Sequence, residues 1–329
     1  MQKETVTLTM SPYSTPDFSH ASGQVAYNMT NDYLFHHVLQ TDKYALKGLI
    51  SALLHKDPAF IDSLEIRNPI MIGDHISEKS FILDILICFN DDSIMNLEMQ
   101  VKNLKNWIPR SLSYLCREFD RLDHGDDYDK VKSAYHVGFL DYTLFPDHPE
   151  FYATYHMRND KDNHLYSDFF SLSVIELNHT DMATEEDKAY GIDTWASLFK
   201  ATTWEEIKML AQTDPYIESA AHSMYSSVTD PAILDMCRKR DEEIRGDIRR
   251  REKLAEQDKQ IAEQDRQIAE QDKQIAEQDK KITEQDRQIA EQDKQIAEQD
   301  KKITEQDKQI TELKNEIAEL KKIIDEMKQ

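Results

Sequence analysis

The chain has 329 residues, with 63 acidic and 40 basic side chains and a formal net charge of −23. That balance argues against a broadly basic protein that coats nucleic acid, and leaves DNA binding to a local basic face. The length allows one large or two modest domains.

Cys88, Cys116 and Cys237 are odd in number and widely spaced, and no CxxC pair or His/Cys cluster suggests zinc. They fit reduced, mostly buried thiols of a cytoplasmic protein. The N-terminus lacks an apolar core of signal-peptide length, and no run approaches the roughly 18–20 apolar residues of a membrane span. The expectation is a soluble chain with no membrane partner.

Residues 1–25 are rich in Ser, Thr and Pro and fit a flexible lead-in, with a short strand at 6–9. From residue 30 the pattern becomes helical. Thr30 or Asn31 can cap, Asp32 suits the helix dipole, and Leu34, Phe35, Val38 and Leu39 form an apolar stripe. A second helix is expected over 44–54, ended by Asp57-Pro58. His36, His37 and His55 have no acid or Cys partners at ligand spacing and fit ordinary surface or core histidines. A strand is expected over 64–71.

Residues 81–102 read FILDILICFNDDSIMNLEMQVK. Two strands, 81–89 and 94–102, would flank the turn Asn90-Asp91-Asp92-Ser93. Side chains alternate between the faces of a strand, so Glu98, Gln100 and Lys102 share one face. A hairpin brings Asp84 opposite that row. Carboxylates among apolar neighbours are costly unless paired or bound to a cation, and hard oxygen ligands suit Mg²⁺ or Mn²⁺. On spacing alone, Asp84 and Glu98 fit solvent-facing strand acids as well.

A helix is expected from Pro109 to about residue 122, with Leu112, Leu115, Cys116, Phe119 and Leu122 inward. Arg110, Tyr114, Arg117 and Arg121 form a second stripe. It fits either a solvated face or an edge that contacts DNA phosphates, since Arg forks match phosphate oxygens. The acidic loop 120–129 lacks EF-hand spacing and fits a solvated loop. Strands follow at 134–140, 151–158 and 169–177, then helices at 192–199, 203–211, 217–226 and 231–240. Thr203 and Glu206 have capping-box spacing. The α/β order predicts a mixed sheet flanked by helices.

From Leu254 the sequence repeats every seven residues, and 261–281 recur as 282–302 with Ala262 replaced by Thr283. Ile holds position a from Ile261 to Ile324. Leu313, Leu320 and Met327 hold d, where the earlier heptads carry Gln (Gln257 through Gln306). The period predicts a left-handed coiled coil, clamped by its last three heptads and making a homo-oligomer through 254–327. The bland alternative is one solvated charged helix. The domains expected are a flexible segment 1–25, a core 26–240 and a coiled coil 241–329.

Asn31-Asp32-Tyr33-Leu34-Phe35, Leu83-Asp84-Ile85-Leu86, Leu97-Glu98-Met99-Gln100, Arg110 with Tyr114, and Ile175-Glu176-Leu177 together resemble the PD-(D/E)XK nuclease family transposases, the recombination-promoting nucleases. The resemblance covers roughly residues 28–210. It implies a restriction-endonuclease-like fold, a mixed sheet between helices, and divalent-metal-dependent cleavage of DNA phosphodiesters to 5′-phosphate and 3′-hydroxyl ends. It implies that Asp84 and Glu98 hold Mg²⁺, with Mn²⁺ as the alternative ion. Gln100 stands where the broader superfamily has Lys, with Lys102 as a substitute on the same face. Asp32 would be either a third acid near the metal or a structural residue at the helix start. Backbone contacts through the Arg stripe carry no sequence code, so little sequence preference is expected. The competing reading is a non-catalytic interaction protein with a degenerate core and a working coiled coil.

Overall fold

The computed structural model describes residues 17–68, 84–90, 92–120 and 127–327. The chain divides into two compact units, one ending at Gly246 and the other beginning at Asp247.

The first unit opens with α1 (Asp32–Thr41) and α2 (Lys43–Leu53). Asn31, not Thr30, caps α1, its Oδ1 accepting the Leu34 N–H at 3.1 Å. Asp42 caps α2 in the same way, accepting the Ala45 N–H at 2.9 Å. Each cap satisfies a backbone donor that the first helical turn leaves without a partner. The strand β1 (Leu64–Ile66) is shorter than expected, and residues 69–71 lie outside the described residues, as does the strand expected at 6–9.

Next come β2 (Ile85–Phe89) and β3 (Ser93–Gln100). Asn90 and Asp92 take left-handed φ values of 51° and 73°, the backbone that the turn residues tolerate. β3 ends at Gln100, short of the expected Lys102. Then follow α3 (Trp107–Phe119), β4 (Ala134–Leu140), β5 (Tyr152–Arg158) and β6 (Leu165–Glu176). The six strands lie in the order β1-β2-β3-β4-β6-β5. β3, β4 and β6 run parallel, and the other neighbours are antiparallel. The helices α4 (Glu185–Ala189), α5 (Ile192–Lys200), α6 (Trp204–Ala211), α7 (Pro215–Thr229) and α8 (Pro231–Met327) complete the chain. The Thr203–Glu206 capping box starts α6.

Strand alternation divides the sheet's side chains in two. Ile85, Ile87, Met95, Leu97, Val137, Phe139 and Ile175 face the main core. There Phe35, Phe139 and Phe199 meet with ring centroids 5.2–5.5 Å apart. The opposite face carries Asn96, Glu98, His136, Gly138, Leu140 and Val174, and Trp107 at the head of α3 packs there with Leu140 and Val174.

α3 is rotated from the expected face. Its buried residues are Trp107, Ser111 and Leu115, while Leu112 and Cys116 are exposed and Leu122 lies outside the described residues. A row spaced by four, with a small Ser at its middle, lets the helix approach the strands. Gly138 is required by that approach: a Cβ there would meet the Trp107 indole at 2.1 Å. Cys116 is therefore the one exposed thiol, and Cys88 and Cys237 are buried. The result is a mixed sheet with flanking helices, a restriction-endonuclease-like architecture.

The second unit is helical from Asp247 to Met327, with the side chains of residues 249–325 exposed. Ile261, Ile268 and Ile275 are each 55% exposed. No helix among the described residues is long and apolar enough to cross a membrane.

Candidate active site

The register of the central strands builds the site. Ile85 pairs with Leu97, so one step further Asp84 lies across from Glu98. The Asn68 side chain holds the backbone here. Its Nδ2 donates to the Asp84 carbonyl at 2.6 Å and its Oδ1 accepts the Leu86 N–H at 2.8 Å. On the other side of β3, Asn96 is level with His136 and Glu98 with Gly138. One row of neighbouring positions thus gathers two acids, an amide and an imidazole.

Asp84 and Glu98 are 3% and 2% exposed. Arg110 reaches down from α3, with Nε 2.7 Å from Glu98 Oε1 and Nη2 3.8 Å from Asp84 Oδ1. Burial pushes both carboxyl groups above their usual range. The Asp84 charge raises Glu98 further, and Arg110 pulls both back down. The Asn96 side chain also lowers the Asp84 pKa. Asp84 Oδ2 and Glu98 Oε2 are buried without hydrogen-bond partners among the described residues.

His136 was not singled out by the sequence reading. It is fully buried, with Nδ1 3.1 Å from Asn96 Nδ2 and Nε2 3.7 Å from Glu98 Oε2. Burial, and then the Arg110 charge, push its pKa down to about 3, so the ring is neutral. Its ring lies between Trp107 at 5.5 Å and Tyr114 at 6.1 Å. Strand alternation marks Asn96 as sharing the Glu98 face, but only the β3–β4 register brings His136 beside it.

The other expected site residues divide. Gln100 ends β3, and its Nε2 donates to the Lys102 carbonyl at 3.2 Å. Lys102 is exposed beyond the strand, so it does not share the strand face of Glu98. Arg110, expected at a phosphate edge, lies against the two acids as their counter-ion. Tyr114 lies between the guanidinium groups of Arg110 at 5.2 Å and Arg117 at 5.7 Å. Arg117 is exposed, and Arg121 lies outside the described residues.

Asp32 sits in the first turn of α1 with a side chain clasped by Arg240: Nε is 2.9 Å from both carboxylate oxygens and Nη2 is 2.6 Å from Oδ2. Its charge still raises the pKa of Asp84 and Glu98. Asn31 adds a bond from Nδ2 to Asp241 Oδ1 at 2.9 Å. Glu176, at the end of β6, is buried, and its Oε1 accepts the Leu144 N–H at 2.9 Å. It holds the loop after β4 rather than joining the pair.

Among the described residues, no group of three or more His, Cys, Asp or Glu side chains converges as a metal cage. Two carboxylates with free oxygens, and a cation already held between them, fit a divalent ion that keeps most of its ligands as water or phosphate, as Mg²⁺ does.

A helix-flanked mixed sheet with paired acids on its central hairpin defines the class, a nuclease-type protein. The family model for PD-(D/E)XK nuclease family transposases matches residues 29–249, and the chain belongs to that family. No curated protein and no solved structure matches the chain.

Proposed function

We propose that this chain is a divalent-metal-dependent DNA endonuclease with Asp84 and Glu98 as its metal ligands. The observation that carries the reading is the buried Asp84/Glu98 pair, each with one carboxylate oxygen free of hydrogen bonds. The ion is Mg²⁺ or Mn²⁺. When bound, it polarises the scissile phosphate and offsets the charge that builds in the transition state.

The chain's own residues do the rest. Asp84 and Glu98 give up their protons to become ligands. Arg110 holds the two carboxylates, and with an ion held by Asp84 and Glu98 its guanidinium would be available to a phosphate oxygen. Gln100 orients a water beside Glu98 but brings no charge, and Lys102 supplies positive charge only from outside the strand. Arg117, and Arg121 on the same stripe, extend the contact along the DNA backbone, with Tyr114 between Arg110 and Arg117. Asp32 acts at the helix start through its pair with Arg240. Such contacts give little sequence preference and steep salt dependence.

The residues 26–240 form the catalytic part, and 254–327 join copies of the chain through Ile at a and Leu or Met at d. The free cysteines and the DNA substrate fit the cytoplasm.

The test is cleavage of supercoiled plasmid with Mg²⁺ or Mn²⁺ by the wild type, Asp84→Ala and Glu98→Ala. Metal-dependent nicking that both substitutions abolish supports the reading. Equal cutting by purified Asp84→Ala overturns it. If the wild type neither binds nor cuts DNA, the coiled-coil interaction protein with a degenerate core takes its place.

A further inference from the structure

The two acids are joined by more than Arg110. Asn96 lies diagonally across the β2–β3 pair from Asp84, whose pKa it lowers, and meets His136 Nδ1 at 3.1 Å on the other side. Because the amide nitrogen is the donor, Nδ1 accepts and the ring proton sits on Nε2. That proton faces Glu98 Oε2 across 3.7 Å, just outside hydrogen-bond range, and neither atom has another hydrogen-bond partner. Asn96 is 4% exposed and His136 0%. Burying such polar groups is unfavourable unless they satisfy one another. Two aromatic rings hold the imidazole in place, so its nitrogens have a fixed aim.

We infer that Asn96 and His136 are positioning residues, which link the Asp84 and Glu98 carboxylates and hold them at the separation and orientation that a divalent cation takes. The inference rests on the metal reading above. A ligand held by an outer hydrogen-bonding partner loses about 10–100-fold in metal affinity when that partner is removed. His136→Phe keeps a ring between Trp107 and Tyr114 and removes both nitrogens. His136→Gln keeps a side-chain N–H directed towards Glu98.

The experiment is Mn²⁺ titration of the full chain by calorimetry, with thermal melting of each metal-free variant beside it. The expected result is Mn²⁺ binding by the wild type, none by Asp84→Asn, and about 10-fold or more weaker binding by His136→Phe. The metal-free melting temperature of His136→Phe should fall modestly because buried Asn96 loses its acceptor, the loss of affinity being the diagnostic result, and His136→Gln should recover part of that affinity. A purely structural role would lower the melting temperature and leave affinity intact. Should His136→Phe not fold, Asn96→Leu carries the same test at the other joint and should weaken Mn²⁺ binding comparably. Wild-type affinity in folded His136→Phe or Asn96→Leu overturns the inference while leaving the metal site standing. Absence of Mn²⁺ binding by the wild type removes the metal reading and this inference with it.

Discussion

Arg110 Nε lies 2.7 Å from Glu98 Oε1, and the same guanidinium reaches Asp84 Oδ1 at 3.8 Å. One cation on α3 therefore serves two acids of the β2–β3 hairpin, and offsets at most one of their charges. A metal ion and Arg110 compete for the same two carboxylates. Arg110→Gln should lower the melting temperature of the metal-free protein, because two buried carboxylates lose their counter-ion. Removing one partner of a fully buried pair costs about 3–5 kcal/mol. The Arg110 side chain is 34% exposed, and solvent screening reduces the effect to roughly 1–3 kcal/mol. The same substitution should tighten Mn²⁺ binding and slow DNA cleavage. Calorimetry and plasmid cutting on one preparation check both halves.

The paired acids also set a pH dependence. Both fold with carboxyl groups raised above their ordinary values of 3.8 and 4.5. A raised folded value means that stability is fully present below the unfolded value and is lost as pH rises through the folded one. His136 works in the opposite sense: its folded value is depressed, so it costs stability as pH falls below 6.5. The clean window is therefore the neutral-to-alkaline side, where histidine has finished titrating and the pair gives up its last proton. Metal-free protein should melt lower at pH 9 than at pH 7, and saturating Mn²⁺ should flatten that slope. An equal slope in Glu98→Gln would remove the carboxylate pair as its source.

Removing one acid should therefore stabilise the empty site. Asp84→Asn relieves the repulsion at Glu98 and keeps the shape of the side chain. A gain of about 1 kcal/mol raises the melting temperature of a unit this size by ~2–4 °C. Cleavage should be lost in the same variant. Differential scanning fluorimetry at pH 8 without metal measures the first effect, and a fall in melting temperature would contradict the repulsion.

The sequence carried the acids more clearly than their surroundings. The Asn90–Ser93 turn and strand alternation put Asp84 opposite Glu98, and two left-handed turn residues make that hairpin. His136 was hidden because it comes 40 residues after Asn96, and only the parallel register of β3 and β4 aligns them. Arg240 was hidden for the same reason, since it lies 208 positions after Asp32. α3 misled because it is apolar on two faces. Leu112 and Cys116 read as core, yet Trp107, Ser111 and Leu115 face the sheet. Arg110 read as a phosphate edge, since nothing local shows that its helix lies over the acids.

The Gly138–Trp107 contact tests how α3 is held. In Gly138→Ala the new methyl group would lie 2.1 Å from the indole, so the helix or the strand must shift. Overpacking of this kind costs about 1–3 kcal/mol. Because Arg110 is one turn from Trp107, the shift should also loosen its grip on Glu98. Urea unfolding should report the stability loss, and the Trp fluorescence of the folded state should change.

The heptad tail predicts an assembly. Ile310, Ile317 and Ile324 at a, with Leu313 and Leu320 at d, make one apolar seam, and these side chains are 47–57% exposed in the single chain. Upstream, Gln at d weakens the seam, so the terminal heptads should decide whether copies associate. Replacing Leu313 and Leu320 with Gln extends the upstream pattern to the end. It leaves the helix-favouring composition nearly unchanged, since Leu and Gln have similar helix propensities. Light scattering after size exclusion should show an oligomer for the wild type and a smaller species for the double variant. Deletion of 254–329 should match that smaller species, with metal binding at Asp84 and Glu98 unchanged. A monomer in all three would overturn the coiled-coil reading and leave the tail a solvated helix.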